Sequence, residues 1–179
     1  MLPPVASPAI HYSAGMQASW IVVMGVSGCG KSSLGAALAQ ALAVPLIEGD
    51  DFHPPENVAR MRQGQALTDA DRAGWLDVLA QQLAAHSGGA VLTCSALKRA
   101  YRDRLRAAVP GLRFVFMHIT RDEAERRVAA RAAQHMFPAS LVASQFDTLE
   151  SPEGEVGVLA VDATLPTAQT VDAVQRWMA

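Results

Sequence analysis

The chain has 179 residues, 50% of them hydrophobic and 18% charged, with a formal net charge of −2. That length carries one well-buried α/β domain and is too short for two comfortable ones. The near-balanced charge gives no pull toward nucleic acid or an anionic membrane, and no apolar run approaches the roughly 18 residues that span a bilayer.

Residues 1–18 are rich in Pro, Ala and Ser and lack both a basic start and an apolar h-region. They read as a disordered leader rather than a secretory signal, with Met16 as an alternative start. Residues 19–179 read as a single domain. Trp20–Met24 is a short β-branched-rich strand, and Leu34, Ala37, Leu38, Ala41 and Leu42 mark the apolar face of a helix. Between them lies Gly25-Val-Ser-Gly-Cys-Gly-Lys-Ser32, which fits the phosphate-binding pattern G-x-x-x-x-G-K-[ST] in its required strand-loop-helix setting. Gly25, Gly28 and Gly30 let successive N–H groups face one anion, and the following helix N-terminus adds its free donors. Lys31 supplies a mobile charge for the β- and γ-phosphates of ATP, and the Ser32 hydroxyl suits Mg²⁺. Ser27, Cys29 and Ser33 complete the expected nucleotide-binding set.

Val44–Ile47 reads as a second strand ended by Glu48-Gly-Asp-Asp51. A polar stretch runs from Phe52 to Asp71, where Pro54-Pro55 favours a helix start, and a further helix is expected over Ala73–Ala85. After Gly88-Gly89 come a strand over Ala90–Cys94 and a helix capped by Ser95 that carries Lys98, Arg102, Leu105 and Arg106. Arg113–Ile119 is a fourth strand. Asp122 and Glu123 open a helix reaching about Arg131, and 134–138 reads as a loop. Val156–Val161 is the fifth strand, and Thr167–Met178 a closing amphipathic helix. Alternating βα units imply a doubly wound, five-stranded parallel sheet in three layers, with ligands beyond the carboxyl ends of its strands. Gly25–Ser32, Asp50–His53 and Cys94–Lys98 should therefore converge on one crevice.

Asp50 and Asp51 follow the second strand directly. An aspartate there either closes an Asx turn or faces the phosphate loop, where it could hold Mg²⁺ through water or accept an acceptor's proton. The third strand ends in Thr93-Cys94-Ser95 with no acid, which turns attention to Asp50 for the metal. Of 15 basic residues only Lys31 and Lys98 are lysine. A lysine kept against that bias marks a place for a compact ammonium, so Lys98 is a site candidate. The two cysteines, Cys29 and Cys94, form no disulfide framework and suit a reducing cytoplasm; both fall near the phosphate end of the sheet, where a redox-sensitive pair is conceivable.

The segment Gly49-Asp-Asp-Phe-His-Pro-Pro-Glu-Asn57, with Met61, Gly64, Leu67, Asp69-Ala-Asp-Arg72 and Trp75-Leu76, resembles the sugar-acid recognition region of bacterial-type gluconokinases. Cys94-Ser-Ala-Leu-Lys-Arg-Ala-Tyr-Arg-Asp103 is similar to that family's second signature, and Ser144-Gln-Phe-Asp-Thr-Leu-Glu150 to its third. The resemblance covers roughly residues 20 to 178. It implies a small P-loop kinase, shaped like shikimate and nucleoside monophosphate kinases, that moves the γ-phosphoryl group of ATP to the 6-hydroxyl of D-gluconate. It further implies a substrate region over about 50–85 and a lid over about 131–140. A homodimer is also implied, for which no apolar stripe in the sequence marks an interface.

A sugar acid presents a carboxylate and several hydroxyls, so its pocket should pair basic side chains with neutral hydrogen-bonding groups. Asp50, His53, Arg60, Arg72, Lys98 and Arg102 are the candidates for it. Each basic side chain alone would more often be a solvated surface charge. Lys31, Asp50 and Arg131 are the catalytic candidates, with Arg127 beside the nucleotide; Arg127 and Arg131 could equally pair with Glu123 or Asp122 at helical spacing. Three features depart from the family pattern. Gly74 stands where proline usually precedes the tryptophan, Arg60 replaces a lysine, and the lid has one extra residue before His135. A kinase for shikimate or another sugar acid would keep the loop and change residues 50–102. A non-catalytic nucleotide switch would leave His53, Lys98 and Arg102 without a purpose.

Overall fold

Successive side chains of a strand point to opposite faces, and a parallel sheet covered on both sides therefore reads as a continuous apolar run. The first strand, β1 (Ser19–Met24), has this character: Ile21 and Val23 enter one core, and Val22 and Met24 the other. The computed structural model describes residues 18–131 and 140–179. Their elements run β1, α1 (Lys31–Leu42), β2 (Leu46–Glu48), a 3-10 turn (Gly49–Phe52), α2 (Pro55–Arg62), α3 (Asp69–Ala85), β3 (Gly89–Thr93) and α4 (Arg99–Arg106). After these come β4 (Arg113–His118), α5 (Arg121–Ala130), α6 (Ser140–Thr148), β5 (Val158–Asp162) and α7 (Thr167–Met178).

The five strands lie in the order β2-β3-β1-β4-β5, and every pair is parallel, as the alternating pattern implies. Leu34 and Leu38 of α1, Val128 of α5 and Val174 of α7 fill one face with Val115 and Met117. Trp75, Leu79 and Leu83 of α3 fill the other with Leu105, Phe114 and Phe116. Cys29 belongs to the first core and Cys94 to the second, so the sheet separates them and both thiols are free and buried. This placement rules against a redox-sensitive pair of the two. Burial raises the pKa of Cys29, and pushes that of Cys94 up to about 12.

Several boundaries differ from the sequence reading, each for a local reason. Helix α3 starts four residues before Ala73, because Thr68 accepts from the Asp71 N–H while the Asp71 carboxylate accepts from the Thr68 N–H, a reciprocal cap. Gly74 therefore lies inside the helix and not at its start. Ser95 caps nothing: α4 begins at Arg99 with Lys98 in the cap position. Strand β2 lies later than Val44–Ile47 and includes Glu48, and β5 begins at Val158. In α1 the buried small residues are Gly35 and Ala39, while Ala41 faces out. The 134–138 loop, His135, most of the lid region and residues 1–17 of the leader lie outside the described residues. Among the described residues no helix is long and apolar enough to cross a membrane.

Candidate active site

The phosphate loop closes around three glycines with positive φ, 144° at Gly25, 86° at Gly28 and 97° at Gly30, which L side chains rarely adopt. At Gly28 a Cβ would also come within 2.7 Å of the Ala124 carbonyl, so the loop fits closely against α5. The Lys31 ammonium donates to the carbonyls of Gly25 and Val26, both at 3.1 Å, which holds it over the loop. Ser27, Gly28, Gly30, Lys31, Ser32 and Ser33 line one cleft, faced by Asp50, Arg127, Val128 and Arg131. The backbone N–H of Cys29 faces Val26 O at 3.4 Å, while its buried thiol lies under Gly25.

A second cavity adjoins this cleft and shares Ser27, Lys31 and Asp50 with it. Its remaining wall is His53, Met61, Leu67, Arg72, Trp75 and Ser95. The expected convergence of three strand-end segments is therefore realised. His53 stacks on Trp75 with ring centroids 4.1 Å apart, and the Trp75 indole N–H donates to Gly49 O at 2.7 Å. The His53 side chain is 4% exposed, its Nδ1 has no hydrogen-bond partner among the described residues, and its Nε2 lies 3.9 Å from the Asp50 carboxylate. Burial holds its pKa below the ordinary histidine value, the Arg72 charge lowers it further, and Asp50 opposes both. A neutral imidazole with an uncommitted nitrogen is suited to a hydroxyl. Arg72 donates to Leu67 O and lies over the Tyr101 ring at 5.8 Å, which leaves its charge at the cavity wall.

Three predicted acceptor residues stand elsewhere. Lys98 donates to both carboxylate oxygens of Asp69, at 2.8 and 2.9 Å, and Tyr101 donates to the same carboxylate. The pair lies outside the cavity lining, and Asp69 is held below the usual carboxylate range mainly by Lys98. Arg60 is half-exposed and 3.5 Å from Asp71. Arg102 is corrected outright: it is wholly buried, with Nε and Nη2 on Glu155 and Nη1 on the carbonyls of Ala96 and Leu97. It has no exposed surface to offer a substrate. Arg127 pairs with Glu123 at 2.7 Å and donates to Ala163 O at 3.2 Å, yet still lines the nucleotide cleft with Arg131.

Two residues escaped the sequence reading. Glu48, the last residue of β2, accepts from the Ser32 hydroxyl at 3.1 Å and from Thr93 at 2.5 Å. Although β3 itself ends without an acid, a carboxylate of the neighbouring strand thus stands beside the Ser32 hydroxyl, and Thr93 orients it. Gly49 permits the approach, since a Cβ there would come within 2.2 Å of Thr93 O. Ser32 and Asp50 line the cleft and Glu48 adjoins it through Ser32; all three are hard oxygen donors of the kind Mg²⁺ takes alongside phosphate and water. The second residue is Gln145 of α6, whose Oε1 accepts from the Ser27 N–H at 2.6 Å. Its position inside the third signature was the available signal for it.

A family profile described as an AAA domain matches residues 21–152. A gluconokinase of Gluconobacter oxydans (strain 621H) is 46% identical over 151 residues, covering 82% of this chain and 84% of the relative. The crystal structure of a gluconokinase from Sinorhizobium meliloti 1021 is 49% identical with a TM-score of 0.79, over 87% of this chain and 88% of that one. The unliganded crystal structure of a sugar kinase from Janibacter sp. HTCC2649 is 37% identical with a TM-score of 0.85, over 90% and 95%.

Proposed function

This chain belongs to the gluconokinase family, and from that premise we infer that it phosphorylates D-gluconate with ATP, giving 6-phosphogluconate and ADP. The observation that carries the reading is the shared wall: Ser27, Lys31 and Asp50 border both the phosphate cleft and the neighbouring polar cavity. The second cavity itself is only about 20 Å³, so an acceptor would sit over its mouth, with its hydroxyl beside the γ-phosphate, and phosphoryl transfer requires little beyond such positioning and charge neutralisation.

The residues divide the work as follows. The loop N–H groups and Lys31 hold the β- and γ-phosphates, and Arg127 and Arg131 offset charge from the opposite wall. The 6-hydroxyl oxygen bonds to the γ-phosphorus as the bond to the bridging oxygen of ADP breaks. Asp50 takes the hydroxyl proton, and His53 holds a neighbouring hydroxyl. Arg72 faces the acceptor's carboxylate. Magnesium, bound with ATP, supplies further neutralisation of the phosphate oxygens; the Ser32 hydroxyl would hold it, with Glu48 and Asp50 reached directly or through water.

ADP release from ATP and magnesium tests this against D-gluconate, other sugar acids, shikimate and nucleoside monophosphates, each beside a blank without acceptor. Stimulation by gluconate alone supports the reading. Stimulation by another acid reassigns the acceptor, and a flat panel with ATP still bound would make the chain a nucleotide-binding switch.

A further inference from the structure

Arg102 is the charged side chain among the described residues that is wholly removed from solvent, at 0% exposure. A buried guanidinium persists only when its donors are satisfied, and here they are used on two separate chain segments. Nε and Nη2 meet the Glu155 carboxylate, with Nη2 at 2.5 Å, in the connection between α6 and β5. Nη1 meets Ala96 O at 2.9 Å and Leu97 O at 3.1 Å, in the connection between β3 and α4. Glu155 also accepts from Arg106 at 2.7 Å, so the carboxylate is itself fixed.

The loop that Nη1 grips borders the acceptor cavity through Ser95. Its next residue, Ala96, has φ of 44°, a left-handed conformation that a Cβ disfavours. Such a conformation persists where the surroundings over-determine it. The Arg102 contacts do this, helped by Glu150, whose N–H donates to Leu97 O at 2.9 Å, and neither Arg102 nor Glu150 lines the cavity. A planar fork reaching a carboxylate and two carbonyls at once is something lysine cannot reproduce.

We propose that Arg102, clamped by Glu155, is a positioning residue for the acceptor: it holds the Ser95–Leu97 turn in its left-handed form and so sets affinity for gluconate without touching it. This rests on the gluconokinase reading above. The donor cleft is built from other segments, so ATP binding stands apart from the clamp.

The test is steady-state kinetics on wild type, Arg102→Lys and Glu155→Gln, with the thermal midpoint of each recorded and rates taken well below it. Arg102→Lys is expected to raise the gluconate KM about tenfold while the ATP KM stays within about twofold, and Glu155→Gln to act in the same direction more weakly. Ala96→Gly in the Arg102→Lys background should recover part of the gluconate affinity, because glycine takes positive φ unaided. A purely structural clamp would lower the midpoint and leave the two KM values in their original ratio, which overturns the proposal. So does failure of both single variants to fold, since the pair is then a requirement of the fold. Wild-type protein without gluconate-dependent ADP release overturns the functional reading and this inference together, whereas an unchanged KM ratio in active variants overturns the inference alone.

Discussion

The Ser32 hydroxyl donates to the Glu48 carboxylate across 3.1 Å, joining the first turn of α1 to the last residue of β2. Thr93 donates to the same oxygen at 2.5 Å, so three neighbouring elements meet at one carboxylate beside the phosphate loop. Glu48→Gln keeps the size and one acceptor oxygen but removes the charge. The expected result is a fall in kcat of about 100-fold, of the size seen when a group that organises transition-state charge is lost, with more magnesium needed for half-maximal rate. Titrating magnesium at fixed ATP measures both; an unchanged magnesium requirement would show that Glu48 only orients Ser32.

Gln145 links α6 to the phosphate loop through a 2.6 Å hydrogen bond from the Ser27 N–H. Gln145→Leu keeps the volume and leaves that donor without its partner, at a cost of about 1–3 kcal/mol. If the cost falls on the loop's nucleotide-ready form, the ATP Kd rises about tenfold, since each 1.4 kcal/mol is a factor of ten. Gln145→Glu keeps an acceptor oxygen and sets a negative charge near the phosphates. Calorimetric titration with ATP should therefore find both variants weaker, with the glutamate form improving as salt is added.

Much of this architecture was legible because periodicity and punctuation are local. The closing helix runs from Thr167 to Met178 as its amphipathic pattern predicts, and the phosphate loop lies where a strand and a helix bracket it. What failed to show was non-local. Arg102 reads as an acceptor contact, or taken alone as a solvated charge, until Glu155, 53 positions away, is brought against it. Glu48 reads as a strand end until Thr93 of the adjoining strand and Ser32 face it. The start of α3 was missed for another reason: a reciprocal cap made by Thr68 and Asp71 sits in a polar stretch that has no apolar period to announce it.

Gly74 lies in the interior of α3, and a Cβ built on it meets nothing within 4 Å. The glycine therefore costs backbone entropy with no packing return. Gly74→Ala should stabilise the protein by about 0.5–1 kcal/mol, read as a higher urea midpoint at unchanged slope. Both KM values should stay in place, because the substitution leaves Trp75 and its stack on His53 intact.

Two glutamates have their pKa held down to about 2 for different reasons, and only one should matter to stability. Glu123 is held by Arg126 and Arg127 on the surface of α5, where solvent screening makes such pairs nearly neutral for folding. Glu155 is held first by the buried Arg102 and then by Arg106. Because its folded pKa lies below the ordinary glutamate value of 4.5, the unfolded chain takes up the proton first as the solution is acidified. The stabilisation is therefore fully present above pH 4.5 and is lost as pH falls toward about 2. Glu155→Gln should lower stability at neutral pH by about 3 kcal/mol, since it strands a buried guanidinium, and should flatten the acid limb of the stability curve. Glu123→Gln should leave that limb almost as it is in wild type. Urea unfolding at several pH values separates the two, and equal effects would mean that the clamp around Arg102 is far more hydrated than its burial indicates.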